Sequence, residues 1–337
     1  MADMSATKRQ KPAWAVASAF AGGIRAEMVH ARDDHRTAFA IWKNGLWYQS
    51  DRFVDSAGRT MQPYPADHPL IANNVVLFPD EPVAYSSRMQ LIDEVRQYIH
   101  RYVDVSDSFE LIASYYVLLT WFYDCFNELP YLRLKGDFGT GKTRFLQVVG
   151  AICYRPIFAS GASTVAPLFH MLDLFRGTLI LDEADFRYSD EKAELTKIFN
   201  NGNMRGAPVL RARMNSKREF DPHVFQVFGP KVMAMRGEFE DAALESRFIT
   251  HETHPAPIRP DLPISLPDTF AAESAQLRNK LLMFRFEYWR KLSAPSDLPI
   301  ASLPPRTLQM LLPILTLADD ARERTLLLEI LQRHHTD

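Results

Sequence analysis

The chain has 337 residues, 47% of them hydrophobic and 24% charged, an ordinary globular composition with enough apolar material for a sizeable core. Its 39 basic and 41 acidic residues nearly cancel, which excludes a protein that binds polyanions through overall charge; any nucleic-acid contact must come from a local basic feature. The two cysteines, Cys125 and Cys153, lack CxxC spacing and sit in apolar surroundings, so they are expected to be buried free thiols in a reducing, cytoplasmic compartment rather than disulfide or zinc ligands.

The N-terminal stretch KRQKPAWAVASAFAGG has a basic start, but its Ala/Gly run is too weakly hydrophobic for a secretory signal. Alternating runs such as TAFAIWKNGLWYQ, with Asn44-Gly45 as a hairpin turn, predict a small β-rich module over residues 1–86, closed by the proline-rich segments PYPADHP and FPDEP. From Ser87 the spacing becomes helical through MQLIDEVRQYIHRYV. The apolar run Leu111 to Phe126 is shorter than the roughly 20 residues of a membrane span and contains Asp124, so it predicts a buried helix and no membrane partner.

Strand and helix patterns then alternate: YLRLKG, KTRFLQVVGAICY, RPIFAS, TVAPLFHMLDLF and GTLILDEADF. Strands separated by helices of this length pair in parallel through crossovers, which predicts an α/β fold with an open sheet. After AELTKIFNNG, the segment VLRARMNSKREFDPHVFQVFGPKVMAMRG reads as a hairpin followed by a core strand. Beyond Pro255, a proline-spaced linker leads to three helical segments, AESAQLRNKLLMFRFEYWRKL, PPRTLQMLLPILTLA and ARERTLLLEILQRHH.

Between the first strand and its helix lies GDFGTGKT: Gly136, Asp137, Phe138, Gly139, Thr140, Gly141, Lys142 and Thr143. This is a phosphate-binding loop in its required context, with glycines that let main-chain amides approach an anion at the positive end of a helix. Lys142 is expected to contact the terminal phosphates of ATP, and the Thr143 hydroxyl to ligate Mg²⁺. About forty residues on, the apolar strand TLILDEAD delivers Asp182 as a second Mg²⁺ ligand and Glu183 as the base for an attacking water. A carboxylate poised for water predicts hydrolysis rather than transfer to a small molecule.

These residues resemble the AAA+ P-loop ATPases, in the branch with a β-hairpin before the sensor-1 strand that includes superfamily-3 and minichromosome maintenance helicases. WFYDCFNELPYLRLKGDFGTGKTRFL, GTLILDEADF and FGPKVMAMRGEFEDAALESRFI are similar to helicase-like ATPases of phages, plasmids and genomic islands. The resemblance runs from about Ser87 to Leu315 and implies an ATPase core over 87–258 and a helical lid over 259–337. It places Arg247 of ALESRF as the arginine that reaches a neighbouring subunit's nucleotide; the alternative is a surface ion pair with Glu245 or Asp241. It places Arg306 of PPRTLQMLL as a nucleotide-contacting sensor-2 arginine, with Arg278 as competitor. At the sensor-1 position this chain offers Met235 and Arg236 where relatives carry Asn or Thr.

Arg205, Arg211, Arg213, Lys217 and Arg218 outnumber Glu219 and Asp221 across the hairpin. The resemblance implies an arm pointing into a ring pore, with Lys217 and Arg218 at its tip and Arg211 and Arg213 behind them gripping phosphates; the alternative is a solvated edge. Phe220 alone is at hand for stacking, so backbone tracking is expected. The HETH and HH pairs are expected to be surface histidines rather than metal ligands. Together the readings predict a hexameric, ATP-hydrolysing motor on single-stranded or forked DNA in mobile-element replication, with a primase or initiator as further partner. An ATP-controlled loader, initiator or signalling switch and a protein remodeller are the rival readings.

Overall fold

The computed structural model describes residues 13–161, 163–182, 189–214, 220–255, 258–289, 291–293 and 304–335. Strand β1 (Ala13–Ala15) is followed by an antiparallel sheet of β2 (Ala17–Ala19), β3 (Arg25–Ala31), β4 (Arg36–Lys43) and β5 (Leu46–Ser50). Asn44 and Gly45 both take positive φ, 54° and 82°, which closes the expected two-residue hairpin between β4 and β5. Strands β6 (Phe53–Val54) and β7 (Thr60–Pro63) complete a small second sheet with β1, in the order β1-β7-β6.

After α1 (Pro69–Ala72), helices α2 (Arg88–Tyr102) and α3 (Asp107–Phe122) start at Ser87 and Ser106, whose hydroxyls accept from the main-chain N–H of Gln90 and Phe109. Helix α3 is apolar on every side and buried accordingly. Its Trp121 indole donates to the Ile152 carbonyl at 3.0 Å and its Tyr116 hydroxyl to the Lys231 carbonyl at 2.9 Å, which fixes it behind the main sheet. No helix among the described residues is long and apolar enough to cross a membrane.

The expected strand–helix alternation follows: β8 (Tyr131–Gly136), α4 (Lys142–Ile152), β9 (Ile157–Ser160), α5 (Val165–Phe175), β10 (Leu179–Asp182) and α6 (Ser189–Gly202). Then come the hairpin β11 (Val209–Met214) and β12 (Phe220–Phe225), the core strand β13 (Lys231–Met235), the short α7 (Ala242–Glu245), and β14 (Phe248–Thr253). Helices α8 (Phe270–Tyr288), α9 (Pro305–Leu315) and α10 (Ala321–His335) end the chain's described part. The main sheet is five-stranded and parallel in the order β14-β8-β13-β10-β9. The fold is α/β, with helices flanking a parallel sheet and a β-rich N-terminal region. Strand β8 leads through α4 to the far edge, β9, whereas β14 lies on the other side of β8. The order therefore reverses beside β8, where open parallel sheets form a crevice beyond the C-terminal strand ends.

The N-terminal region shares its core with the main sheet. Met28, Phe39 and Ile41 pack in one apolar cluster with Tyr131, Leu181 and Phe248; Val29 and Ala38 belong to another with Leu132, Leu281 and Leu311. An ionic cluster joins the same parts. Glu27 on β3 accepts from Arg25 at 2.7 Å, from Arg285 of α8 at 2.9 Å, from the Tyr154 hydroxyl at 2.7 Å, and from Arg155. Arg285 also holds Asp124 at 2.8 and 2.9 Å. Burial would raise both carboxyl pKa values, but the surrounding guanidinium charges, Arg285 foremost, outweigh it: Glu27 lies well below the usual range and Asp124 is held at about 2.

Both acids are thus depressed in the folded state, and their stabilisation is present above the ordinary carboxylate range and lost as pH falls from about 4 through 2. Glu27→Gln should cost about 3–5 kcal/mol, because it leaves three buried guanidiniums short of an anion. Chemical denaturation of wild type and variant at neutral pH measures this, and the gap between them should close in acid.

The thiols differ from expectation in one case. Cys153 is buried, but Cys125 is exposed, because it follows Asp124 at the surface turn that ends the α3 segment.

Candidate functional site

Parallel pairing sets Gly136, Asp182, Met235 and Thr253 along one end of the main sheet, and the loop 137–141 lies over it. Gly136 is required by packing: a Cβ there would come within 2.0 Å of Thr253 Oγ1 and 2.6 Å of its carbonyl oxygen. Gly139 and Gly141 are required by conformation, with φ of 75° and 80° in the left-handed region and open space around them. Gly141 is the residue from which α4 starts, so the helix's first amides face the loop's interior.

Within this loop the Thr140 hydroxyl donates to the Asp137 carbonyl at 2.9 Å and Thr253 Oγ1 lies 2.8 Å from Thr140 Oγ1. Lys142 Nζ also donates to the Asp137 carbonyl, which folds the ammonium across the loop's mouth. The Thr143 hydroxyl donates to Asp182 Oδ2 at 2.7 Å, so the residues from two motifs 39 positions apart meet. A hydroxyl and a carboxylate oxygen are the hard donors that Mg²⁺ takes, and one or two protein ligands suffice for it. Glu183 lies outside the described residues.

Two hollows flank the loop. A cleft of about 240 Å³ is lined by Phe138, Lys142, Thr143, Asp182, Met235 and Arg236. A larger cavity of about 760 Å³ lies on the other side, with Leu134, Thr253, Ile258, Leu262 and Ile264 in its wall. Arg144 closes part of its rim by donating to the carbonyls of Pro263 and Ile264 at 3.0 and 2.5 Å. The small polar cleft suits a phosphate chain, and the large, more apolar cavity suits a nucleoside.

Arg236 stands at the position where the resemblance expects Asn or Thr. It follows β13 directly, and its guanidinium stacks 3.6 Å from the centre of the Phe138 ring. The strand's position between β8 and β10 puts this cation in the cleft, which no local sequence signal states.

Arg247 and Arg306 lie elsewhere. Arg247 immediately precedes β14, whose C-terminal end adjoins the phosphate loop, so the six-residue strand separates them by roughly 17 Å. The Arg306 side chain donates to the Ala243 carbonyl at 2.6 Å, beside Arg247 rather than beside Lys142. The two guanidiniums are near enough that Arg306 lowers the Arg247 pKa, after the larger effect of burial, and Arg247 Nε is buried without a partner among the described residues. The alternative ion pairs of Arg247 are taken up otherwise: Glu245 is held by Arg133 at 2.8 and 2.5 Å, and Asp241 caps α7 through the Ala243 N–H at 2.9 Å. Arg278, the competitor for the sensor-2 role, is fully buried and donates to the Ala151 carbonyl at 2.6 Å, a core contact.

In the hairpin, Arg211 pairs across to His223 and Arg213 to Asp221. Arg211 is turned inward, against Glu194 of α6 and over the Phe169 ring at 4.0 Å, which removes it from the cations open to a phosphate. The opposite face, with Leu210, Met214, Phe220 and Val224, is exposed. The Arg213 side chain, Lys217 and Arg218 lie outside what is described. Arg205 is likewise engaged, donating to the Asp124 and Phe126 carbonyls at 2.6 and 2.9 Å. His251 is half-buried: it stacks on Phe109 at 4.5 Å, and burial lowers its pKa to about 4.

No protein-family model matches the chain, nor does any curated protein at a significant level. Among solved structures, it is similar to the apo C-terminal region of NrS-1, with a TM-score of 0.36 and 11% identity over 91% of this chain and 72% of that one. It is also similar to a full-length MCM homolog from Methanopyrus kandleri, with a TM-score of 0.44 and 9% identity over 93% and 69% of the two chains. For JCV helicase the values are 0.31 and 14%, over 74% of this chain and 60% of that one.

Proposed function

We propose that this protein is a Mg²⁺-dependent ATPase whose subunits complete one another's sites in a ring and use the energy to move along or unwind DNA. The observation that carries the reading is the meeting of Thr143 and Asp182 at 2.7 Å beneath an amide-lined loop, with Arg247 and Arg306 paired at the sheet's other end. Main-chain amides of 139–143 and the Lys142 ammonium would hold the phosphates in the small cleft, with the nucleoside in the large cavity. Thr143 and Asp182 would hold the magnesium ion, which when bound neutralises phosphate charge. Glu183, one residue beyond Asp182, would take the proton of the attacking water. Arg236 would offer a positive charge from the same chain.

Arg247 and Arg306 cannot serve their own chain's loop from across the sheet, and two adjacent guanidiniums favour an anion from outside. A neighbour's terminal phosphate supplies that anion, which supports a ring. Lys217 and Arg218 remain the proposed phosphate contacts of the hairpin; Phe220, exposed beside them in the chain, adds a ring on which a base can stack.

The test is ATP turnover with and without single-stranded DNA, measured with particle mass in a non-hydrolysable nucleotide. The expected result is DNA-stimulated turnover by a nucleotide-stabilised oligomer. Turnover indifferent to DNA would refute the motor and favour an ATP-controlled loader or switch.

A further inference from the structure

We infer that Asn200 is a positioning residue for Arg247, a step that rests on the shared-site reading above. Its side-chain carbonyl Oδ1 accepts from Arg247 Nη1, and its amide Nδ2 lies 3.3 Å from Asp241 Oδ2. Asn200 thus bridges the guanidinium and the Asp241 carboxylate. An amide oxygen can fix the direction of a cation without cancelling its charge, whereas direct pairing with Asp241 would neutralise Arg247 and hold it back from any phosphate. Arg247 feels Asp241 only at a distance and is not paired with it directly, and its orientation is set, a state in which a guanidinium can still serve an anion arriving from outside.

The support is rigid enough for this. Asn200 lies in the last turns of α6, whose Leu195, Ile198 and Phe199 are fully buried. The Phe199 carbonyl accepts from the Tyr131 hydroxyl at 2.7 Å, and the Gly202 carbonyl from the Lys231 side-chain nitrogen at 3.3 Å. Arg247 is itself tied to the same strand, since its carbonyl accepts from the Tyr131 N–H at 2.9 Å. Both partners are therefore fixed to β8, and the reach of Arg247 is set by its contact with Asn200 among the described residues. The same helix begins seven residues after Asp182, so the helix that holds Asn200 is the one leaving the strand end that carries the site's carboxylate.

The experiment is a double-mutant cycle on ATP turnover with full-length protein: wild type, Asn200→Ala, Arg247→Ala and the double variant, with melting temperature measured for each. Asn200→Ala is expected to lower kcat on the order of tenfold, with KM within about twofold and no loss of oligomer. In the Arg247→Ala background the same change should have no further effect, because there is nothing left to position. A purely structural asparagine would instead slow both backgrounds equally, and that result overturns the inference. So does a slow Arg247→Ala enzyme combined with wild-type turnover in Asn200→Ala. If Arg247→Ala itself turns over like wild type, the shared-site reading falls, and the inference with it. Asn200→Asp provides a second arm: it should also slow turnover by pairing with and neutralising Arg247, and unchanged kcat there would contradict the requirement for a neutral acceptor.

Discussion

Lys142→Ala should lower ATP turnover on the order of 10³-fold and weaken nucleotide binding, with the melting temperature essentially unchanged. The side chain is only partly buried at the loop's mouth, and its ammonium bonds the Asp137 carbonyl of the same loop. That contact is replaceable by water, so folding loses little. A triphosphate, by contrast, would lose the one ammonium placed against its terminal oxygens in a cleft also lined by Asp182, whose carboxylate repels the same charge unless a cation stands between them. Isothermal titration with a non-hydrolysable ATP analogue and steady-state turnover separate the two losses. A variant that binds and hydrolyses normally would mean that the cleft is not a phosphate site.

Arg247→Ala should leave nucleotide binding nearly intact and cut turnover by about two to three orders of magnitude, the scale of an arginine supplied to a transferring phosphoryl group. Binding should survive because, on the proposed reading, the loop, Lys142, Thr143 and Asp182 belong to the subunit that holds the nucleotide, whereas Arg247 lies a strand's length from its own loop. Arg306→Ala should show the same split with a smaller loss, since its side chain is anchored to the Ala243 carbonyl beside Arg247. This placement departs from the simplest expectation for Arg306, a contact with the nucleotide of its own chain. Helix α9 starts where the sequence predicts, but where a helix start lands depends on packing against α3 and α10, which no local pattern states.

The main sheet was largely legible. Strand β8 spans the residues YLRLKG that predict it, and β13 lies within its predicted core segment, because strands buried on both faces read as continuous apolar runs. Strand β14 carried no such signal. Its residues FITHET become polar after two apolar positions, and it is an edge strand defined by pairing with β8. Missing it hid the distance between Arg247 and the phosphate loop. The hairpin shows a different limit. VLRARM alternates, so its two faces follow from sequence, but which face turns inward was decided by Phe169 and Glu194, from α5 and α6. Asn200 gave no sign at all, since an asparagine near a helix end reads as an ordinary terminus until Arg247 is seen beside it.

Mixing Lys142→Ala subunits with Arg247→Ala subunits tests the shared site most directly. The first type cannot hold the triphosphate but still carries Arg247; the second holds it but offers no arginine to its neighbour. Each alone should be nearly inactive, and the mixture should recover a substantial share of wild-type turnover, since some neighbours then pair an intact loop with an intact arginine. A mixture no faster than the sum of its inactive parts would contradict the account.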